Sequence, residues 1–141
     1  LGKACEMART DLEKESARIR SLRDTLERGI LETIPDVKVN GHPEKRLPNT
    51  LNISFTGVYV ELLLAEFDRN GVAVSAGSAC SAESREVSRV LTAMGLDAAT
   101  ARSTIRFSLG RENTREDIDD MLTLLPPVIE RLRNERSARS A

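Results

Sequence analysis

The cysteine that stands outside any helical pattern, Cys80, sits in the run Ser75-Ala-Gly-Ser-Ala-Cys-Ser-Ala-Glu-Ser84. Small residues dominate this run, and none can anchor it by burying a large apolar area, so it reads as a loop able to move. A free thiol has a reference pKa of about 8.5, so only a minority is thiolate at neutral pH unless its surroundings assist. Sulfur is nonetheless a strong nucleophile. A thiol on a moving loop could attack in one place and hand its cargo over in another. The same residue types also suit a small buried cysteine, the commoner fate of free Cys. The glycine and serines do not make a phosphate-binding loop, because the lysine and the spacing of that motif are missing.

A second candidate is Arg106, on the polar side of the alternating segment Thr104-Ile-Arg-Phe-Ser-Leu109. Its planar fork suits a carboxylate held by two hydrogen bonds, and an arginine inside a sheet needs a partner. A structural ion pair with a nearby Asp or Glu is the alternative reading. Other chemistry finds less support. One histidine and two isolated cysteines match no metal-ligand spacing. A bridge between Cys5 and Cys80 has little support without secretory marks. His42, after Asn40-Gly41, reads as a solvated turn histidine. Cys5, beside the apolar stripe of a helix, reads as inert packing. Asn49 and Asn52 are explained by turn formation and by filling a polar face, and Arg111 by pairing with a neighbouring acid.

Composition bounds the function classes. The chain has 141 residues, 40% hydrophobic and 30% charged, which fits one globular domain. A net charge of -1 and 3% aromatic residues argue against a nucleic-acid binder. No apolar run approaches the roughly 18 residues that a membrane span needs. No secretory start is present, so the cytoplasm is the expected setting. The helical pattern is already running at Leu1, without an initiating Met, which points to a piece of a longer protein.

Several elements must position the two candidates. Leu1, Ala4, Ala8, Leu12, Ile19, Leu22, Leu26 and Ile30 form the apolar stripe of a long helix, which Pro35-Asp36 stops. Residues 40–48, rich in turn formers, read as an exposed connection. Residues 51–55 and 104–109 alternate as half-buried strands, with Leu51, Ile53 and Phe55 and then Ile105, Phe107 and Leu109 facing a core. Val60, Leu63, Leu64 and Phe67 mark a helix closed near Gly71, residues 72–74 a short strand, and Val87, Val90, Leu91 and Met94 another helix ending at Gly95. Thr114 can cap a last helix whose core face is Ile118, Leu122, Leu125 and Ile129, with a kink expected at Pro126-Pro127. The expected fold is α+β: a small, mostly antiparallel sheet with helices on its apolar face and a long N-terminal helix. Its parts are a linking helix over 1–34, a core over 35–133 and a frayed tail over 134–141. The polar sheet face, with Asn52, Ser54, Thr104, Arg106 and Ser108, needs a cover or a use.

Three segments in order carry a family likeness: Leu47-Pro-Asn-Thr-Leu-Asn-Ile-Ser-Phe55, the Cys80 run, and Ser103-Thr-Ile-Arg-Phe-Ser-Leu-Gly110. Together they resemble the cysteine desulfurases of the NifS/IscS type, of the long-loop class, over residues 1–133. The resemblance implies the C-terminal small domain of a homodimeric pyridoxal-phosphate enzyme with the aminotransferase-like fold, which converts L-cysteine to L-alanine. It implies that Cys80 carries the sulfane sulfur as a persulfide, for iron–sulfur scaffold proteins or thiolation. It also implies that Arg106 grips the substrate carboxylate. The family's cofactor lysine belongs to a large upstream domain, and Lys3, Lys14, Lys38 and Lys45 do not stand in that context. The chain alone is therefore expected to bind no pyridoxal phosphate and to be inactive. Departures occur at Val58-Tyr-Val-Glu61, at the doubled proline and in the charged Ser81-Ala-Glu-Ser84. A non-catalytic persulfide carrier and a domain-docking module are the competing readings.

Overall fold

The computed structural model describes residues 2–76 and 88–139. The order of elements is α1 (Gly2–Thr33), β1 (Val37–Val39), β2 (Thr50–Phe55), α2 (Val60–Arg69), β3 (Ser75–Ala76), α3 (Arg89–Ala93), α4 (Ala98–Ala101), β4 (Thr104–Ser108) and α5 (Arg115–Arg139). The four strands form one antiparallel sheet in the order β1-β2-β4-β3. The two alternating segments therefore lie side by side in its centre, with Ile53 opposite Ile105 and Leu51 opposite Phe107.

Alternation puts one residue set of each central strand on the apolar face. Leu51, Ile53, Phe55 and Ile105 are fully buried there, and α1, α2 and α5 supply Ile30, Leu63, Phe67, Leu125 and Ile129 to the same core. The rings of Phe67 and Phe107 meet edge to face at 6.1 Å. The expected α+β architecture is thus the observed one. Gly29 lets α1 and α5 close on each other, since a Cβ there would stand 2.5 Å from Leu122 Cδ1. At the start of α5, Thr114 and Asp117 cap reciprocally: Asp117 N–H donates to Thr114 Oγ1 and Thr114 N–H to Asp117 Oδ2. The bond from Thr114 N–H, and after it one from the Asn113 amide, hold the Asp117 carboxyl below its ordinary range.

Several details differ from the sequence reading. Among the described side chains, the core takes α1 residues from Ile19 onward; Leu12 is 61% exposed and Cys5 is exposed, so Cys5 is not a packing residue. The short strand falls at Ser75–Ala76, just after residues 72–74, because its hydrogen-bonding register is set by Arg106 and Ile105. The helix expected from Val87 begins, among the described residues, at Arg89, and α4 and β1 are additional. Helix α5 includes both prolines and runs past Arg133 to Arg139, where the sequence suggests a frayed end. An Arg131–Glu135 pair accompanies its last turns.

Five arginines fasten connections. Arg23, 4% exposed, donates to Leu47 O, and Arg46 pairs with Glu27, so the exposed 40–48 connection is tied to α1. Arg18 holds the β4–α5 turn through Asn113 O and Arg111 O, and Arg111 pairs with Asp11. Arg133 on α5 donates to Thr56 O, Pro35 O and Asp36 O, closing the turn in which Asp36 adopts a left-handed φ of 54°. Replacing Arg133 with Ala is expected to destabilise the fold by about 1–3 kcal/mol, with Lys a partial substitute only, because no other side chain spans three carbonyls with a fork. Thermal unfolding of the two variants checks this.

Candidate functional site

The polar face of the sheet is built by the same alternation that builds the core. Residues opposite one another in an antiparallel pair share a face. Arg106 stands opposite Asn52 on one side and Ser75 on the other, and Ser54 stands opposite Thr104 and Lys38. One end of this face is covered. Helix α4 packs against β2 there, and Ser54 and Thr104 are 1% and 0% exposed. Polar groups so buried need partners. Thr104 Oγ1 donates to Thr100 O at 2.8 Å, Ser54 Oγ lies 2.7 Å from Thr104 Oγ1, and Asn40 Nδ2 donates to Ser54 Oγ and to Asn52 Oδ1 at 2.8 and 2.9 Å. Asp97 caps α4 by accepting from Ala99 N, Thr100 N and the Thr100 hydroxyl, and the hydroxyl bond leads in holding its carboxyl below the usual range.

The other end, around Arg106 and Asn52, is half-buried. Arg106 Nε is buried without a hydrogen-bond partner among the described residues. No carboxylate among the described residues pairs with its guanidinium. The structural ion pair weighed for Arg106 is therefore not formed there. A cation held on a sheet with an unpartnered buried N–H is arranged to take an anion. Asn40, which lies beyond β1 and joins the face through its backbone bond to Asn52 O, carries no sequence signal beyond a turn-forming Asn-Gly.

The remaining candidates are dispersed. Cys80 lies outside the described residues; β3, which leads toward it, ends at Ala76, four residues earlier in the chain. His42 is exposed, and its Nδ1 accepts from Glu44 N and Lys45 N in a turn. Asn49 holds Leu109 N through its carbonyl. Lys3, Lys14, Lys38 and Lys45 are all exposed, and Lys3 pairs with Glu6. No described helix is long and apolar enough to cross a membrane.

Comparison with known proteins agrees with this arrangement. Residues 1–121 match the family described as aminotransferase class-V. The chain is 48% identical over 133 residues to "Cysteine desulfurase 2" of Trichormus variabilis, covering 94% of this chain and 33% of that protein. It is 47% identical over 136 residues to a cysteine desulfurase of Sinorhizobium fredii, covering 96% and 35%. Among solved structures, a NifS-like protein superposes with a TM-score of 0.79 at 28% identity, over 92% of this chain and 32% of that one. The chain thus spans about a third of the length of the curated relatives it matches. With its fold, its residues 1–121 and its similarity to cysteine desulfurases in agreement, the chain belongs to the class-V aminotransferase family.

Proposed function

We propose that this chain is the C-terminal small domain of a cysteine desulfurase, which moves the sulfur of L-cysteine onto Cys80 and leaves L-alanine. The observation that carries the reading is the pairing of Ser75 with Arg106: the strand leading toward Cys80 runs beside an arginine whose buried Nε has no partner among the described residues. Arg106 binds the substrate carboxylate through its fork, which orients the rest of the amino acid. The Cys80 thiolate attacks the substrate sulfur. A sulfur–sulfur bond forms and the substrate's carbon–sulfur bond breaks. The electron pair of the broken bond stays on carbon, which takes a proton to become the methyl group of alanine. No outside oxidant is needed: the transferred sulfur gives up two electrons in becoming the outer sulfur of the persulfide, and the substrate carbon, which keeps the pair, is reduced to the methyl group.

Pyridoxal phosphate, when bound in the complete enzyme, supplies the electron sink that makes the substrate's carbon–sulfur bond breakable. The four lysines of this chain stand exposed and apart from Arg106's face of the sheet except for Lys38, opposite Ser54, which supports seeking the cofactor lysine outside it. The cofactor and its lysine belong, on this reading, to a large domain preceding α1 in the same polypeptide, and the complete enzyme is a cytoplasmic homodimer. The persulfide then passes to an iron–sulfur scaffold or another sulfur acceptor.

The test uses the complete enzyme, incubated with L-cysteine without reductant and digested for mass spectrometry. The peptide bearing Cys80 is expected to gain the mass of one sulfur atom, and reductant should remove it. Sulfur found on Cys5 alone, or on no cysteine while alanine accumulates, would overturn the assignment.

A further inference from the structure

Accounting for protons across the polar face shows which donors are spare. Thr100 O can only accept, so the Thr104 hydroxyl must spend its proton there. Ser54 must therefore donate to Thr104, since Thr104 has no second proton. With its own proton spent, Ser54 can only accept from Asn40, so Asn40 must present its amide nitrogen. The second proton of that nitrogen goes to Asn52, which must then present its oxygen. This relay fixes both amides. It leaves Asn40 Oδ1 buried without a partner, a cost accepted because the rest of the relay dictates the orientation. It also leaves the Asn52 nitrogen with no acceptor among the described residues. That nitrogen belongs to the residue directly opposite Arg106 on the same face.

We propose that Asn52 is the second arm of the substrate clamp: its amide N–H donates to the same carboxylate that the Arg106 guanidinium binds. The inference rests on the reading of Arg106 given above. Two adjacent side chains that offer only donors select a group with several acceptor lone pairs and one negative charge, and a carboxylate is such a group. The relay is the positioning device. It runs from the backbone of α4 through Thr104, Ser54 and Asn40, and it keeps the Asn52 oxygen turned inward, so that only the nitrogen is left for a ligand.

The complete enzyme is titrated with L-cysteine and with cysteamine, which has the same thiol and amine but no carboxylate, following the bound cofactor's absorbance. The ratio of the two affinities reads the carboxylate contacts alone. Asn52→Ala is expected to lower the preference for L-cysteine by about ten- to a hundredfold while leaving the affinity for cysteamine unchanged, the span for one hydrogen bond to a charged group. Asn52→Asp keeps the oxygen that Asn40 uses and so serves if Asn52→Ala loses the fold; it should lower the preference at least as far. If Arg106→Gln collapses the preference and both Asn52 variants keep it, the second arm is overturned and the reading of Arg106 stands. If Arg106→Gln leaves the preference intact, that reading fails and the two-armed clamp fails with it.

Discussion

Replacing Cys80 with serine in the complete enzyme is expected to reduce sulfide release from L-cysteine to background, in the presence of reductant, while the substrate still changes the absorbance of the bound cofactor. The exchange is small in volume and removes one property. A serine hydroxyl does not ionise near neutral pH, and its oxygen cannot hold a transferable sulfur as a persulfide does. Alanine production should stop as well, because the carbon–sulfur bond breaks only when a nucleophile takes the sulfur. Binding should survive, since the proposed carboxylate contact lies elsewhere, at Arg106. Assaying sulfide and alanine together separates the outcomes. Loss of both with retained spectral titration supports the assignment, and undiminished turnover would end it.

Arg106→Gln should lower kcat/KM for L-cysteine by about 10²–10³-fold, the size expected for losing two charge-assisted hydrogen bonds from one fork. Arg106→Lys should recover only a small part, because an ammonium keeps the charge and loses the planar fork. Neither variant should cost stability. The guanidinium has a buried Nε without a partner and forms no ion pair with a described carboxylate, so removing it deletes an unsatisfied group instead of a bond. Steady-state kinetics beside thermal unfolding distinguishes the cases. A large fall in melting temperature together with an unchanged kcat/KM would mark Arg106 as structural.

The two central strands were legible because alternation is a local signal. Leu51, Ile53 and Phe55, and Ile105 and Phe107, sit where a period of two places them, and the polar partners Asn52, Ser54, Thr104 and Arg106 fall on the other face. The closing glycine of α2 was legible too, since Gly71 takes a φ of 71°. The short elements were harder. Val37–Val39 has three residues and no period to read, and α4 holds four residues whose formation depends on the Asp97 cap. Ile19 onward and Leu12 belong to one helical stripe, yet periodicity does not say how far along a helix the core reaches. At the site, the sequence offered Arg106 by its motif but gave no weight to Asn40. Its role arises from a register that brings residues 40, 52, 54 and 104 together, which no local pattern encodes.

The packing of α1 against α5 has a consequence for how this chain is made. A ribosome releases α1 before α5, and strands β2 and β4, adjacent in the sheet, are separated by three helices and a further strand in the chain. Until α5 emerges, Leu26, Ile30 and Ile34 lack the cover that Met121, Leu125 and Ile129 provide. Vectorial synthesis thus leaves this side of the core open until α5 has been made. Among these elements, the helix made after the others is the one that closes the core.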